Sequence, residues 1–200
     1  MVGPDTCGFN GNSDEELCNR WMQLSAFFPF YRNHNVLSAI PQEAYVWASV
    51  AEASRVAMQI RYSLLPYWYT LFWKASTSGD SVIRPLFYEF PDDTTLADAD
   101  HQFMVGDGLL VTPVLAQGYT NVSGVFPGTE VWYDWYTYEP RQPSGNVTIP
   151  APLGHIPLHI RAGRILPMQV FPLLFELSNL RNRDIRQRSA DRIPGRYLPR

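Results

Sequence analysis

Apolar positions in the first part of the chain recur at helical spacing. Leu17, Trp21, Leu24 and Phe28 follow at intervals of four, three and four, which places them on one face of a helix over residues 13–28. Ser13 and Glu16 have the spacing of a capping box, the Ser13 side chain accepting the Glu16 N–H and the Glu16 side chain reaching back to the N–H of Ser13. Pro29 ends the helix. A polar and aromatic loop over residues 29–49 follows, centred on Arg32, Asn33, His34 and Asn35. Residues 50–77 repeat the helical pattern with Val56, Ile60, Leu64, Tyr67 and Leu71 on a common face, and Pro66 predicts a kink. Gly79-Asp80 breaks the pattern, and the apolar run over 82–90 reads as a buried strand closed by Pro91-Asp92-Asp93. Beyond residue 105 the period changes. Short apolar or alternating runs at 109–115, 122–127, 131–137, 146–150 and 156–161 are separated by Gly, Pro, Asn and Ser, which predicts a sandwich-like antiparallel β domain. The chain therefore reads as α/β followed by all-β, with a boundary near 91–105 and no internal repeat.

Composition narrows the classes. Of 200 residues, 46% are hydrophobic and 14% aromatic, a globular balance with an aromatic share that favours a sugar-stacking role only slightly over core filling. A net charge of −3 gives no electrostatic case for a nucleic-acid partner. Residues 176–200 depart from the body of the chain, with seven Arg against Glu176, Asp184 and Asp191. No apolar run reaches the roughly 20 residues of a membrane span, and Met1 is followed at once by Val2-Gly3-Pro4-Asp5 without the profile of a signal peptide. The sequons at Asn121 and Asn146 are glycan acceptors only in a secreted chain.

Three places carry candidate chemistry. The stretch Val2 to Phe9 has the form of a strand end, a carboxylate and a glycine turn leading to a helix, which is how a (β/α)₈ barrel presents a side chain at its C-terminal mouth. Asp5 is then either that side chain or the cap of a turn. Cys7 and Cys18 are eleven positions apart across the same turn, either bridged, worth about 2–3 kcal/mol for so short a loop, or two separate buried thiols. His34 sits among Arg32, Asn33 and Asn35, a cluster that either lines a site or ties down its own backbone. His155 and His159 are four apart, about 13 Å in a strand, too far to share a metal, and His159 falls on the polar side of Ile156, Leu158 and Ile160. His101 follows Asp100 and reads as structural. No phosphate loop, serine nucleophile elbow or metal-ligand cluster is present, so no cofactor or metal is expected. Asp5, Glu43, Glu89, Asp107 and Asp134 are carboxylates, but none stands in a context that marks a nucleophile or general acid.

Taken in order, Asp5-Thr6-Cys7-Gly8-Phe9, then residues 15–21 (EELCNRW) and residues 28–35 (FPFYRNHN), the chain resembles glycoside hydrolase family 31, the α-glucosidase family. Residues 61–67 (RYSLLPY), Arg84-Pro85-Leu86-Phe87, Gly106-Asp107 with residues 110–114 (LVTPV), Trp132-Tyr133-Asp134 and Ile160-Arg161-Ala162-Gly163 continue the match to about residue 169. The resemblance implies that residues 1–91 are the C-terminal part of a (β/α)₈ barrel, with the opening residues at strand seven and 82–90 at strand eight. It implies that 92–169 form a proximal C-terminal β-sandwich, leaving 170–200 as a divergent, disordered Arg-rich tail. It also implies that Asp5 and His34 contact the hydroxyls of the non-reducing-end glucose, that Phe9 is an aromatic wall, and that Cys7 and Cys18 form a local disulfide.

The family's mechanism is retaining, with two aspartates near the anomeric carbon, typically about 5–5.5 Å apart. Both match positions upstream of Met1, so the resemblance assigns this chain no catalytic residue and implies a truncated piece of an exo-acting α-glucosidase, inactive alone. Its parent would act on maltose or α-glucan ends in the secretory pathway or outside the cell. The expected partner is an α-glucoside, with neither nucleic acid nor membrane. The alternative reading is a non-catalytic carbohydrate-binding or structural remnant.

Overall fold

The computed structural model describes residues 2–170, and the expectation of a disordered tail falls, from 171 on, outside the described residues. Strand β1 (Asp5–Thr6) leads through a turn into helix α1 (Glu15–Ser25), and strand β2 (Arg32–Asn33) pairs with β1 in parallel. The cap of α1 is Asp14, whose carboxylate accepts the Leu17 N–H at 2.8 Å, so the predicted Ser13 box gives way to a cap one residue later. Glu16 is engaged elsewhere, taking the Gly118 N–H at 2.9 Å.

The buried face of α1 is also not the predicted one. Cys18, Asn19, Met22, Gln23 and Ser25 point inward, while Leu17 is 43% exposed and shares a groove of about 440 Å³ with Trp21, Leu24, Phe28 and Leu115. Only Cys18 and Met22 are apolar on this inner face, beside Asn19, Gln23 and Ser25. The link from Cys18 to Cys7 turns it toward β1, where Cys7, Cys18, Met22 and Val50 form a small core.

The long helical pattern is realised as α2 (Ala48–Ser63) and α3 (Leu65–Ser78), broken at Leu64 with Pro66 in the first turn of α3, where its missing N–H costs nothing. Ile60, Leu64, Tyr67 and Leu71 are buried as the spacing predicts. Val56 is not, and Ala53 and Ala57 take its place on the inner face. Gly79 closes α3 in the left-handed conformation (φ +77°). The run over 82–90 is only partly extended. Strand β3 (Ile83–Pro85) passes at Pro85 into a helical turn, α4 (Leu86–Glu89), and β3 pairs antiparallel with β4 (Phe103–Val105) rather than standing beside β1 and β2.

The remaining strands are β5 (Leu109–Val111), β6 (Asn121–Phe126), β7 (Trp132–Asp134), β8 (Pro140–Arg141), β9 (Ser144–Pro150) and β10 (Leu158–Arg161); each of the five predicted runs contributes one, and β8 lies outside them. They form a six-stranded sheet in the order β3-β4-β5-β10-β7-β8 and an antiparallel pair β6-β9. Because side chains alternate across a strand, the central strands have two buried faces. Val105, Leu109, Val111 and Leu158 pack with Ile60, Leu64, Tyr67 and Leu71 of the helices. Met104, Leu110 and Trp132 pack with Leu86, Phe90 and Phe126 on the other side. Strands and helices therefore share a core, and residues 2–169 lie within one compact unit.

Candidate functional site

Residues at the start of the chain converge at the end of the parallel pair β1 and β2. The register sets Asp5 beside Arg32 and Thr6 beside Asn33. Arg32 donates from Nε at 3.1 Å and Nη2 at 2.6 Å to one oxygen of Asp5, Oδ1. The other oxygen accepts no hydrogen bond among the described residues and remains an available acceptor. The backbone then reverses, with the Gly8 N–H donating to the Asp5 carbonyl at 2.9 Å. Cys7 takes a left-handed conformation at φ +69°, sparsely populated for a residue with a side chain. A disulfide to Cys18 holds it there, with Cα atoms 4.6 Å apart.

A buried amide braces the turn. Gln42 Nε2 donates to the carbonyls of Thr6 and Gly8, each at 3.1 Å, and to Asn33 Oδ1 at 3.0 Å, while Asn33 Nδ2 donates to the Gln42 carbonyl at 2.7 Å. Past the turn, the Val36 N–H reaches the Phe9 carbonyl at 3.0 Å, and the Phe9 and His34 rings lie 5.3 Å apart, tilted by 36°. Asp5 with Arg32, and Phe9 with His34, are thus two adjoining pairs on one loop cluster. The cluster both lines a surface and ties its own backbone: His34 and Phe9 are exposed, whereas Asn33 and Gln42 serve the loop. The sequence places Arg32 in the His34 cluster but does not signal its pairing with Asp5, 27 positions away, nor the bracing role of Gln42, whose contact with Thr6 spans 36 positions.

The other carboxylates have different occupations. Glu89 lies between Arg84 and Arg161, Asp107 is 3.3 Å from Arg164, and Asp134 Oδ1 accepts the N–H groups of Tyr136 and Thr137, each at 2.8 Å. Glu43 is exposed. None of them pairs with Asp5. Among the described residues no group of three or more His, Cys, Asp or Glu side chains is placed to hold a metal ion, and no helix is long and apolar enough to cross a membrane. The sequons sit on adjacent strands, Asn121 on β6 and Asn146 on β9, both exposed, with Ser123 Oγ bonded to Asn146 Oδ1.

Helix α1, which follows the site loop, is anchored to the β strands by Arg20. Its Nη1 donates to the Ala151 carbonyl at 3.1 Å and its Nη2 to the Tyr119 carbonyl, and Glu16 bonds the Gly118 N–H beside it. The loop cluster is therefore positioned from both sides, by the disulfide within and by the β domain behind.

Comparison with known proteins adds the following. A model described as the glycosyl hydrolases family 31 TIM-barrel domain matches residues 1–71, and one for the glycosyl hydrolase family 31 C-terminal domain matches residues 79–166. An alpha-glucosidase of Aspergillus niger is 64% identical over 174 residues, covering 84% of this chain and 18% of that protein. The crystal structure of a glucosidase II alpha subunit with Glc1Man2 bound superposes with a TM-score of 0.81 at 38% identity, covering 85% of this chain and 19% of the other. The ER glucosidase II heterodimeric complex gives the same TM-score and identity over the same shares. The chain thus spans less than a fifth of the length of the curated relative it matches.

Proposed function

The chain belongs to glycoside hydrolase family 31, and we propose that it supplies the sugar-binding wall, with the β domain supporting it, of a retaining exo-acting α-glucosidase. The observation that carries this reading is the division of labour at Asp5. Arg32 occupies Oδ1 with two hydrogen bonds, which fixes the carboxylate and leaves Oδ2 to accept a sugar hydroxyl. His34, two positions past Arg32, can both donate and accept, and Phe9, in contact with the His34 ring, offers an apolar edge to a sugar face. Asp5 and His34 hold the hydroxyls of the terminal glucose in this proposal, and Phe9 limits the space around it.

Chemistry by this mechanism requires two carboxylates about 5–5.5 Å apart, one attacking the anomeric carbon and one protonating the leaving oxygen before activating water. Glu89, Asp107 and Asp134 are engaged elsewhere, and no carboxylate among the described residues is paired with Asp5. The nucleophile and the acid/base group are therefore assigned to polypeptide other than this chain. Binding a sugar without a group that stabilises the transition state does not accelerate cleavage. The natural substrate class is an α-glucoside with a free non-reducing end. Secretory location is supported by the disulfide, by the exposed sequons at Asn121 and Asn146, and by the likeness to ER glucosidase II.

The test is a titration of the 200-residue chain with maltose, read at the His34 ring signals. Saturable shifts that disappear in Asp5→Ala support the reading. Shifts that persist unchanged in Asp5→Ala would remove Asp5 from the site and defeat it.

A further inference from the structure

A second cleft, of about 490 Å³, opens between the β7-β8 edge of the large sheet and strand β9. It shares no residue with the Asp5, Phe9 and His34 cluster. At its floor is His159, which the alternating pattern assigned to the polar, outward side of its strand but which is only 1% exposed. The pattern fails because the outward side of β10 here faces β6 and β9, with the Phe126 ring edge-on to the imidazole at 4.6 Å. His155 precedes the strand, so the separation of 13 Å expected from strand spacing does not apply, and both imidazoles line the same cleft.

The polar groups in the cleft are incompletely used. His159 Nδ1 and Ser144 Oγ are buried without a hydrogen-bond partner in the protein, although buried polar atoms are nearly always paired. His159 Nε2 lies 3.9 Å from Asp134 Oδ2, too long for a direct hydrogen bond. A hydroxyl oxygen about 2.8 Å from each of them fits between, accepting from one and donating to the other. Val147 and Ile149 supply a half-exposed apolar wall.

Charge decides the ligand class. Burial pushes the His155 and His159 imidazoles toward the neutral form. Burial works to raise the Asp134 pKa, but the Thr137 and Tyr136 N–H groups outweigh it and keep the carboxyl ionised. With Glu139 and Arg141 paired at the rim, at 3.7 Å, the cleft carries a net negative charge and repels anions. Groups that both donate and accept, beside an apolar wall and with the one guanidinium among the lining residues paired to a carboxylate, match a neutral polyhydroxylated ring.

We propose that this cleft of the β domain is a second saccharide-binding site, in which a neutral sugar is held by Asp134, Ser144 and His159 against Val147 and Ile149. The site needs no contribution from Asp5 and goes beyond the function proposed above. The experiment is a titration of the full 200-residue chain with maltotriose, read at the ring signals of His155 and His159. Ser144→Ala removes a hydroxyl that makes no hydrogen bond in the protein, so it leaves the fold intact. Saturable shifts at both rings are expected, with affinity weakened at least about tenfold in Ser144→Ala, the cost of one lost polar contact to the ligand. His159→Phe should abolish binding, and Asp5→Ala should leave the His159 shifts unaltered. Rings that do not respond to maltotriose while His34 does would overturn this proposal and spare the first site. His159 shifts without any response at His34 would do the reverse. Inorganic phosphate producing the same shifts would mark an anion site and overturn the assignment, as would wild-type affinity in Ser144→Ala.

Discussion

Replacing Glu89 by Gln should destabilise the protein by about 3 kcal/mol. Glu89 is 10% exposed and lies between two guanidinium groups almost as buried, those of Arg84 at 10% and Arg161 at 8%. Its Oε1 bonds Arg84 Nη1, and its Oε2 is 3.5 Å from Arg161 Nη1. Burial alone lowers the Arg84 pKa, and the hydrogen bond and charge of Glu89 more than restore it. Breaking one member out of a buried ion pair typically costs about 3–5 kcal/mol, because the partner's charge stays buried and unpaired. The lower end applies here. Arg161 keeps Glu130 at 2.9 Å, and Arg84 keeps the Ser81 carbonyl at 2.7 Å. With a urea dependence of about 2–3 kcal/mol per molar, the midpoint should fall by roughly 1–1.5 M, followed by tryptophan fluorescence of the buried Trp68 and Trp132. The double change Glu89→Leu with Arg84→Met, which removes the charges instead of stranding one, should recover much of the loss. A midpoint for Glu89→Gln within about 0.3 M of the parent would mean that the cluster is solvated or redundant, and the reasoning from burial would be wrong.

Four further outcomes are expected. Cys7→Ser with Cys18→Ser should cost about 2–3 kcal/mol, the chain-entropy value for a loop closed over eleven positions; reductant added to the parent should reproduce the shift in urea midpoint, and no shift under reductant would contradict it. Gly106→Ala should cost more than about 2 kcal/mol, since Gly106 sits at φ +58° and an added Cβ would collide with the Tyr67 hydroxyl and Leu71; thermal melting reads the loss, and an unchanged melting temperature would refute it. Burial holds the His159 pKa down to about 4, with Asp134 opposing and Arg141 and His155 adding to the depression. The unfolded chain, titrating near 6.5, takes up the proton first, so stability should be full above pH 6.5 and fall between 6.5 and about 4, by at most about 3 kcal/mol. Urea midpoints from pH 7.5 to 4.5 test this against His159→Phe, which should flatten the slope; equal slopes would reject His159 as the cause. Finally, the 200-residue chain should show no turnover of a chromogenic α-glucoside, and turnover near that of a full-length relative would expose carboxylate chemistry within it.

Much of the architecture was legible in local patterns. The change of period at residue 105 located every later strand except the two-residue β8, because alternation and turn residues act over a few positions. The disulfide was legible only through the resemblance, and the geometry agrees with it. Errors arose where distant contacts chose between local options. Helix α1 carries an apolar stripe at Leu17, yet the covalent link at Cys18 turns the mixed face of Cys18, Asn19, Met22 and Gln23 inward. The run over 82–90 satisfies a strand's composition, yet Pro85 cannot donate to a ladder and the chain turns helical at once, with Glu89 seated on Arg84. At the site, Asp5, Phe9 and His34 are grouped only by the resemblance. The guanidinium that fixes Asp5 and the Gln42 amide that braces the turn could not be read in those roles, since both act across the fold. His159 was misplaced for a related reason: alternation assigns a side chain to a face, but not what lies over that face.

The core shared by helices and sheet has a bearing on how sequences of this family can be recombined. The natural place to join halves of two related sequences is the Gly79 turn, where the helical pattern stops. A crossover there would divide one packed interior, because Leu64, Tyr67 and Leu71 on one side of it interlock with Val105, Leu109 and Leu158 on the other. Arg20 would meet unfamiliar carbonyls as well. Chimeras cut at that turn should survive only between parents whose residues agree at these positions, whereas exchanging α2 and α3 together with β4, β5 and β10 transfers most of the interior and leaves Ala26, Phe27 and Ile156 to be matched. The unit of inheritance is the helix pair with its sheet, and it straddles the seam that the chain displays.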